Sequence, residues 1–469
     1  MHRGDLAGAR AACAEVLRAA PGDTGVLLLV ADIAFRSGEY ADAIACLRQG
    51  LAANPGAADV HYKLGCLHED SRDPAAAAAA YEEAIRLNPS LSKAHNNLGA
   101  VLQGMGRMDE ALASFQAAHT LDPGLWIAQY NIGQWQKLQG NLAAAVAPFQ
   151  QAMRGRRDVA LPVLDSSALE TCATHAKLRH DIEQMDYLVR LGILGDLGRS
   201  ASKALAQTLA ALGPEAQPAV AVEFPAHVKP VVAPYFNRLL HFHDAPALAG
   251  GAVNPDLDWA AIEAGYFANG PGMTFVDDFL RPEALASLRR FCLESTIWFD
   301  AGYGGGYVGC TFEHGFACPL LAQIADEFRR ALPGIFGDAR VTGLWGYKYD
   351  SERSGIAPHG DFAAVNVNFW LTPDDANLAP ESGGLVVWDK EAPLDWDFED
   401  YNNNQERIGL FLRESDARPY VVPHRQNRVV LFNSDLFHKT DSYRFKPGYE
   451  NRRINVTMLY GDRQQAPAG

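Results

Sequence analysis

His359 and Asp361 stand two positions apart in GIAPHGDF (355–362), a stretch that otherwise reads as strand and turn. On an extended chain, residues i and i+2 project to one face, so an imidazole and a carboxylate can meet the same ion from one strand end. A third ligand has to come from elsewhere. The candidate is His438, 79 residues further on in NRVVLFNSDLFHKTDSYR, where a strand ends in the turn NSD and a histidine follows. Two imidazoles and one carboxylate on one face of a divalent ion leave three positions open, a donor set that suits Fe(II) with room for dioxygen and a cosubstrate. Zinc more often has three protein ligands with no need for a cosubstrate. Either histidine alone reads as a surface turn residue; the joint pattern points to a metal.

A 2-oxoglutarate that chelates such an ion through its keto-acid end needs a buried cation for its far carboxylate. Arginine suits this best, because its fork pairs a carboxylate in two places. The strand after His438, RRINVTMLYGD (452–462), supplies two candidates. Arg453, Asn455 and Thr457 alternate onto one face, Arg452 and Ile454 onto the other. Arg453, 15 residues past His438, is preferred, because Asn455 and Thr457 on its face are placed to hydrogen-bond the same carboxylate. His314, His424 and Lys439 fit no role, and Asp374, Asp375 and Asp435 read as turn residues.

The elements that must position these groups begin near residue 272, where composition shifts. MTFVDDFLRPEALASLRRFCLE (273–294) reads as a strand, a turn and an amphipathic helix. Strand-like runs follow at 340–350, 363–373, 383–389, 419–423, 427–432 and 452–462, several alternating apolar and polar residues with period two. Six or more short strands with few helices between them suggest a β-sandwich or jelly roll. Residues 273–462 resemble the Fe(II)/2-oxoglutarate-dependent dioxygenases of the prolyl-hydroxylase-like branch. The resemblance rests, in order, on FVDDFLRPEALASLRRF, YKYD, the H-x-D of His359 and Asp361, GGLVVWD, NRVVLFNSDLFH and RRINVT. It implies an α+β double-stranded β-helix (jelly roll) over 273–465 with His359, Asp361 and His438 as iron ligands and catalytic residues. It also implies that Tyr349 helps Arg453 hold the 2-oxoglutarate, with O2 as second cosubstrate and ascorbate as a candidate reductant. Succinate and CO2 would be released as a substrate C–H is hydroxylated. His438 lies farther from the H-x-D than is usual in that branch, because DKEAPLDWDFEDYNNNQERIGLFLRESDA (389–417) intervenes. That insert, and the glycine-rich DAGYGGGYVGC (300–310), read as lid material over the mouth.

The first third carries a repeat. Leu64-Gly65 recurs as Leu98-Gly99 and Ile132-Gly133; Ala77, Ala111 and Ala145, Tyr81, Phe115 and Phe149, and Pro55, Pro89 and Pro123 all keep the same step of 34. Small residues at fixed positions let two helices cross closely, an aromatic fills the gap, and proline closes the unit. This pattern resembles the tetratricopeptide repeat over residues 1–155, about four units plus a partial first one, and implies an all-α superhelix whose concave face binds extended peptides. Asn97 and Asn131, 34 apart, with Lys63 in the equivalent place, would line that face. Residues 156–272 lose the period and read as a helical bridge (175–192 and 202–213) followed by a proline- and glycine-rich linker. Its histidines, His175, His180, His227, His241 and His243, read as surface or core residues rather than ligands.

The 469 residues exceed one core and imply two or three domains. A net charge of −15 argues against nucleic acid as a partner. No apolar run spans a membrane and no signal peptide opens the sequence, which points to the cytoplasm. Seven scattered cysteines with no C-x-x-C pair read as reduced thiols. The combined expectation is a multidomain protein that hydroxylates a protein or peptide side chain, its repeats recruiting the substrate and its bridge aiming their groove at the iron. The other readings are an oxygenase of small molecules whose repeats serve assembly, and a scaffold without catalysis.

Overall fold

In the repeats, a side chain at the small-residue phase would collide with the neighbouring helix. A Cβ on Gly99 would lie 2.6 Å from the ring of Phe115, and one on Gly65 would lie 2.5 Å from Tyr81. The computed structural model describes residues 6–20, 22–158, 160, 172–215, 220–268, 272–301, 306–353 and 355–463. The glycines expected to form a lid at 302, 304 and 305 lie outside that set. The chain divides into two units, Met1–Trp135 and Gln136–Gly469, each taken by itself below.

The first unit is all helical: α1 (Leu6–Ala19), α2 (Thr24–Arg36), α3 (Tyr40–Ala53), α4 (Ala58–Asp70), α5 (Pro74–Leu87), α6 (Ser92–Gly104), α7 (Met108–Leu121) and α8 (Trp126–Leu138), which begins here and runs past its end. Start signals are local. Pro74 opens α5, where the missing N–H costs nothing, and the Asp73 side chain accepts from the Ala76 amide at 3.1 Å. Ala77, Tyr81, Leu98, Ala111 and Phe115, the residues of the 34-step, form one buried cluster. The lone helix of the partial unit, α1, buries Cys13 against Val30 and Ile33 of α2.

The second unit opens with α9 (Leu142–Arg157), whose Phe149 meets Phe312 edge to face at 5.9 Å. β1 (Cys172–Ala173), α10 (His175–Arg190), α11 (Asp196–Leu212), β2 (Val222–Glu223), α12 (Lys229–Val232) and α13 (Trp259–Ala268) follow. Gln184 of α10 donates to the carbonyls of Leu293 and Ser295, so the bridge is docked rather than loose. The linker is docked too: the amides of Ala252 and Val253 donate to Glu327 at 2.7 and 2.9 Å.

Then come β3 (Met273–Val276), α14 (Pro282–Glu294), β4 (Tyr307–Thr311), α15 (Pro319–Ala331), α16 (Pro333–Phe336), β5 (Val341–Tyr349), β6 (Glu352–Arg353), β7 (Val365–Trp370), β8 (Leu385–Glu391), α17 (Gln405–Glu414), β9 (Pro419–Val422), β10 (Val429–Asn433), β11 (Leu436–Thr440), β12 (Tyr443–Arg444) and β13 (Ile454–Tyr460). An antiparallel sheet of six strands runs β3-β10-β7-β13-β5-β4, and one of three runs β11-β8-β9. Trp370, Val430 and Phe432 of the larger sheet share one core with Leu385, Val387, Val422 and Leu436 of the smaller, so the two sheets close face to face. The other face of the larger sheet is covered as well, with Phe369 on Phe279 at 4.9 Å and the Tyr460 hydroxyl donating to Ala325 of α15. As the sequence suggested, β10 ends at Asn433, a turn follows at Ser434 and Asp435, and His438 comes after it, within β11, which pairs with β8. Among the described residues no helix is long and apolar enough to cross a membrane.

Candidate metal centre

The loop before β7 and strand β11 are joined by a reciprocal backbone pair: the amides of His359 and His438 each donate to the other's carbonyl at 2.9 Å. Their rings are therefore neighbours, with centroids 4.3 Å apart. Asp361 reaches the same point. One of its oxygens lies 3.9 Å from His359 Nε2, the other 3.4 Å from His438 Nε2, and one ligand atom from each residue falls within 4.8 Å of the others.

Both imidazoles are held in the tautomer a metal needs. His359 Nδ1 lies 2.8 Å from the carbonyl oxygen of Ala357, and His438 Nδ1 lies 3.1 Å from that of Leu436. A carbonyl only accepts, so each Nδ1 carries the proton and each Nε2 presents its lone pair to the centre. Burial draws the His359 pKa down to about 4, His438 adds to this and Asp361 opposes it, so the ring is neutral at neutral pH. Burial works against ionisation of Asp361, but its polar neighbours His438, His359 and Asn366 outweigh it and hold the carboxyl below its ordinary range.

Asp361 is itself anchored by a polar chain. Its carboxylate accepts from Asn366 Nδ2, Asn368 Nδ2 donates to Asn366 Oδ1 at 2.6 Å, and Asn368 Oδ1 accepts from Asn455 and Thr457 of β13 at 2.9 and 2.7 Å. Asn366 and Asn368 were missed in the sequence. Their signal was the N-V-N alternation in a strand whose every residue proves buried.

A cavity of about 370 Å³ opens on the triad, within the usual range for small-molecule sites. Tyr349, Arg453, Asn455 and Thr457 line it together with His359, Asp361 and His438. Arg453 is fully buried, with Nε donating to the Gly383 carbonyl at 2.6 Å and Nη2 to that of Gly384 at 3.2 Å. Its Nη1 has no hydrogen-bond partner among the described residues. The Tyr349 ring packs under the guanidinium carbon at 4.6 Å. Burial lowers the Arg453 pKa, with Tyr349 and Tyr443 opposing, and raises that of Tyr349, with Arg453 and Thr440 opposing. Arg452 points elsewhere, its Nε on Glu183 at 2.7 Å. Asn455 and Thr457 share the Arg453 face as expected, but their donors are spent on each other and on Asn368.

The insert is structured. β8 leads into a π-turn at Glu399–Asn403 and then α17, and Trp396 and Phe411 pack on Phe437 at 6.1 and 5.7 Å. The Gly360 amide donates to the Tyr401 carbonyl at 2.8 Å, and Asn402 and Gln405 donate to the carbonyls of Gly360 and Pro358, both at 2.9 Å. Asn402, Asn403 and Gln405 thus line the cavity mouth.

In the first unit, Asn131 Nδ2 donates to Asn96 at 3.0 Å, Asn97 Nδ2 faces the Tyr81 hydroxyl at 3.3 Å, and Lys63 is paired with Asp32. These three side chains serve the array's own bonding; the predicted ladder residues are linked through Asn96, which sequence reading passed over.

Helix pairs in a step of 34 define the N-terminal third as a tetratricopeptide-repeat array. Family models described as tetratricopeptide repeat match residues 28–92 and 90–158. Among solved structures, MamA is 29% identical, covering 33% of this chain and 90% of its own, with a TM-score of 0.31. MamA of Desulfovibrio magneticus RS-1 is 20% identical, covering 35% and 90%, with a TM-score of 0.31. YrrB, described as a TPR protein with an unusual peptide-binding site, is 24% identical, covering 32% and 78%, with a TM-score of 0.29. No curated protein matches the chain.

Proposed function

We propose that the second unit is an Fe(II)- and 2-oxoglutarate-dependent dioxygenase of jelly-roll fold, and that it hydroxylates a side chain of a protein or peptide collected by the repeats. The observation that carries this reading is the buried Arg453, with Nη1 unpartnered in the same cavity as two free Nε2 atoms and a carboxylate. A buried guanidinium that is incompletely paired is costly unless an anion completes it. A dicarboxylate with one end at the triad and the other at Arg453 would satisfy both demands at once. Iron, when bound, supplies dioxygen activation coupled to oxidative decarboxylation of 2-oxoglutarate. The chain's own work is to present Nε2 of His359 and His438 and one oxygen of Asp361, to hold the far carboxylate between Arg453 and Tyr349, and to keep bulk water out with the insert. Anaerobic addition of Fe(II) and 2-oxoglutarate should raise a weak visible charge-transfer band. A folded chain that shows no band ends the enzyme reading.

Repeats that collect a peptide raise the local concentration of its target side chain. Deleting residues 1–135 removes the first unit and spares α9, which packs within the second. We expect 2-oxoglutarate turnover without substrate to survive this deletion, and hydroxylation of a long peptide to fall by orders of magnitude. Equal hydroxylation of that peptide by the truncated chain would end the recruitment idea; no peptide hydroxylation by either chain would transfer the case to a small-molecule substrate.

A further inference from the structure

A second cluster of metal-ligating side chains lies outside the cavity. His241 and His243 follow Leu240 on a segment without regular secondary structure, and Phe242 between them packs against Phe291 at 5.5 Å. The segment is fixed by hydrogen bonds to the residues after α14. The amides of Leu240 and His241 donate to Thr296 Oγ1 at 2.8 and 3.0 Å, that of Thr296 to the His241 carbonyl at 2.9 Å, and that of His243 to Ser295 Oγ at 3.0 Å. This presents both imidazoles to Glu294, the last residue of α14, which is 4% exposed. His243 Nδ1 lies 3.0 Å from Glu294 Oε2, and one ligand atom from each of the three residues falls within 4.8 Å of the others. The remaining oxygen, Glu294 Oε1, accepts from Arg290 Nε at 2.7 Å.

We propose that His241, His243 and Glu294 form a second metal site, one that takes zinc and clasps the linker to the end of α14. Two imidazoles and a carboxylate are a zinc donor set, with water as the fourth ligand. Tetrahedral zinc sets neighbouring donors about 3.4 Å apart, so small rotations of the two half-buried rings close the cluster. Arg290 bonds Glu294 Oε1 and so fixes Oε2 beside His243. With two imidazoles and one carboxylate the site favours zinc over Fe(II) by the ordinary affinity order, as the triad's like donor set does when zinc is the only metal offered. The residues share no ligand with the triad, so this inference stands apart from the oxygenase reading.

The test counts zinc. Full-length chain is incubated with zinc alone, passed through gel filtration and analysed for bound metal. Two zinc ions per wild-type chain are expected, one at each cluster, and one in the variant carrying His241→Ala and His243→Ala. The variant carrying His359→Ala and Asp361→Ala should also hold one; if it holds two, the triad assignment is at fault rather than this one. An unchanged count after the His241 and His243 changes overturns the proposal. Should that variant fail to fold, Glu294→Gln keeps the side-chain shape and should weaken retention about tenfold or more. Cobalt(II) gives a second reading. Its intense tetrahedral visible band should vanish in the His241 and His243 variants and persist in the triad variant; a band that persists in all of them overturns the site.

Discussion

Asp361→Ala should abolish iron-dependent succinate formation while the chain stays folded. The substitution removes the one carboxylate of the donor set and leaves two imidazoles that cannot balance the ion's charge. It also strands the Asn366 amide, which donates to that carboxylate. An unsatisfied buried amide costs about 1–3 kcal/mol, so the thermal midpoint should drop without loss of the native circular dichroism. His359→Ala should be equally inactive. Asn366→Ala leaves every proposed ligand in place but frees Asp361 to rotate; loss of such a support costs roughly 10–100-fold in affinity or activity. Wild-type turnover by the Asp361 or His359 variant would falsify the triad assignment.

Arg453→Met should raise the 2-oxoglutarate needed for half-maximal turnover by roughly two to four orders of magnitude, from about 3–5 kcal/mol of lost buried pairing. Binding of Fe(II) should persist, since Arg453 touches none of the three ligands. Stability should move little. The change strips two hydrogen bonds from the Gly383 and Gly384 carbonyls, yet it also removes a fully buried charge whose Nη1 is unpartnered. Arg452→Ala should do the reverse, loosening α10 through the lost pair with Glu183 and leaving the cosubstrate requirement alone. A raised 2-oxoglutarate requirement in the Arg452 variant, with none in the Arg453 variant, would reassign the strand's functional face.

The repeats were legible because their code is redundant: Gly65 and Tyr81, and Gly99 and Phe115, each state the same steric fit, and a step of 34 repeats it. The grouping of His359, Asp361, His438 and Arg453 was legible from the i, i+2 spacing of the first pair and the order of the later motifs, although His359 and Asp361 stand in the loop before β7 rather than in a strand. Asn366 and Asn368 escaped. Alternation of N and V reads as one wet face and one dry, and only the helices behind the sheet and the second sheet in front make both faces dry. The insert read only as lid material because its charged residues hid α17, although Ile408, Phe411 and Leu412 stand at helical spacing and the Asn404 side chain caps the start. His241 and His243 escaped because their partner, Glu294, is 51 residues from His243 in sequence and meets it only when the linker docks.

The three hydrogen bonds between the insert and Pro358–Gly360 bind a mouth segment to the backbone that carries the first ligand. Two parts joined in this way titrate one another. Any ion held by His359 and Asp361 narrows the excursions of residues 358–361, and with them those of Tyr401 to Gln405. By reciprocity, whatever settles over Asn402 and Asn403 tightens the ion by the same factor. Occupancy of the mouth and retention of an ion would then be coupled equilibria, and slower amide exchange at Tyr401–Gln405 would report the ion without any turnover at all.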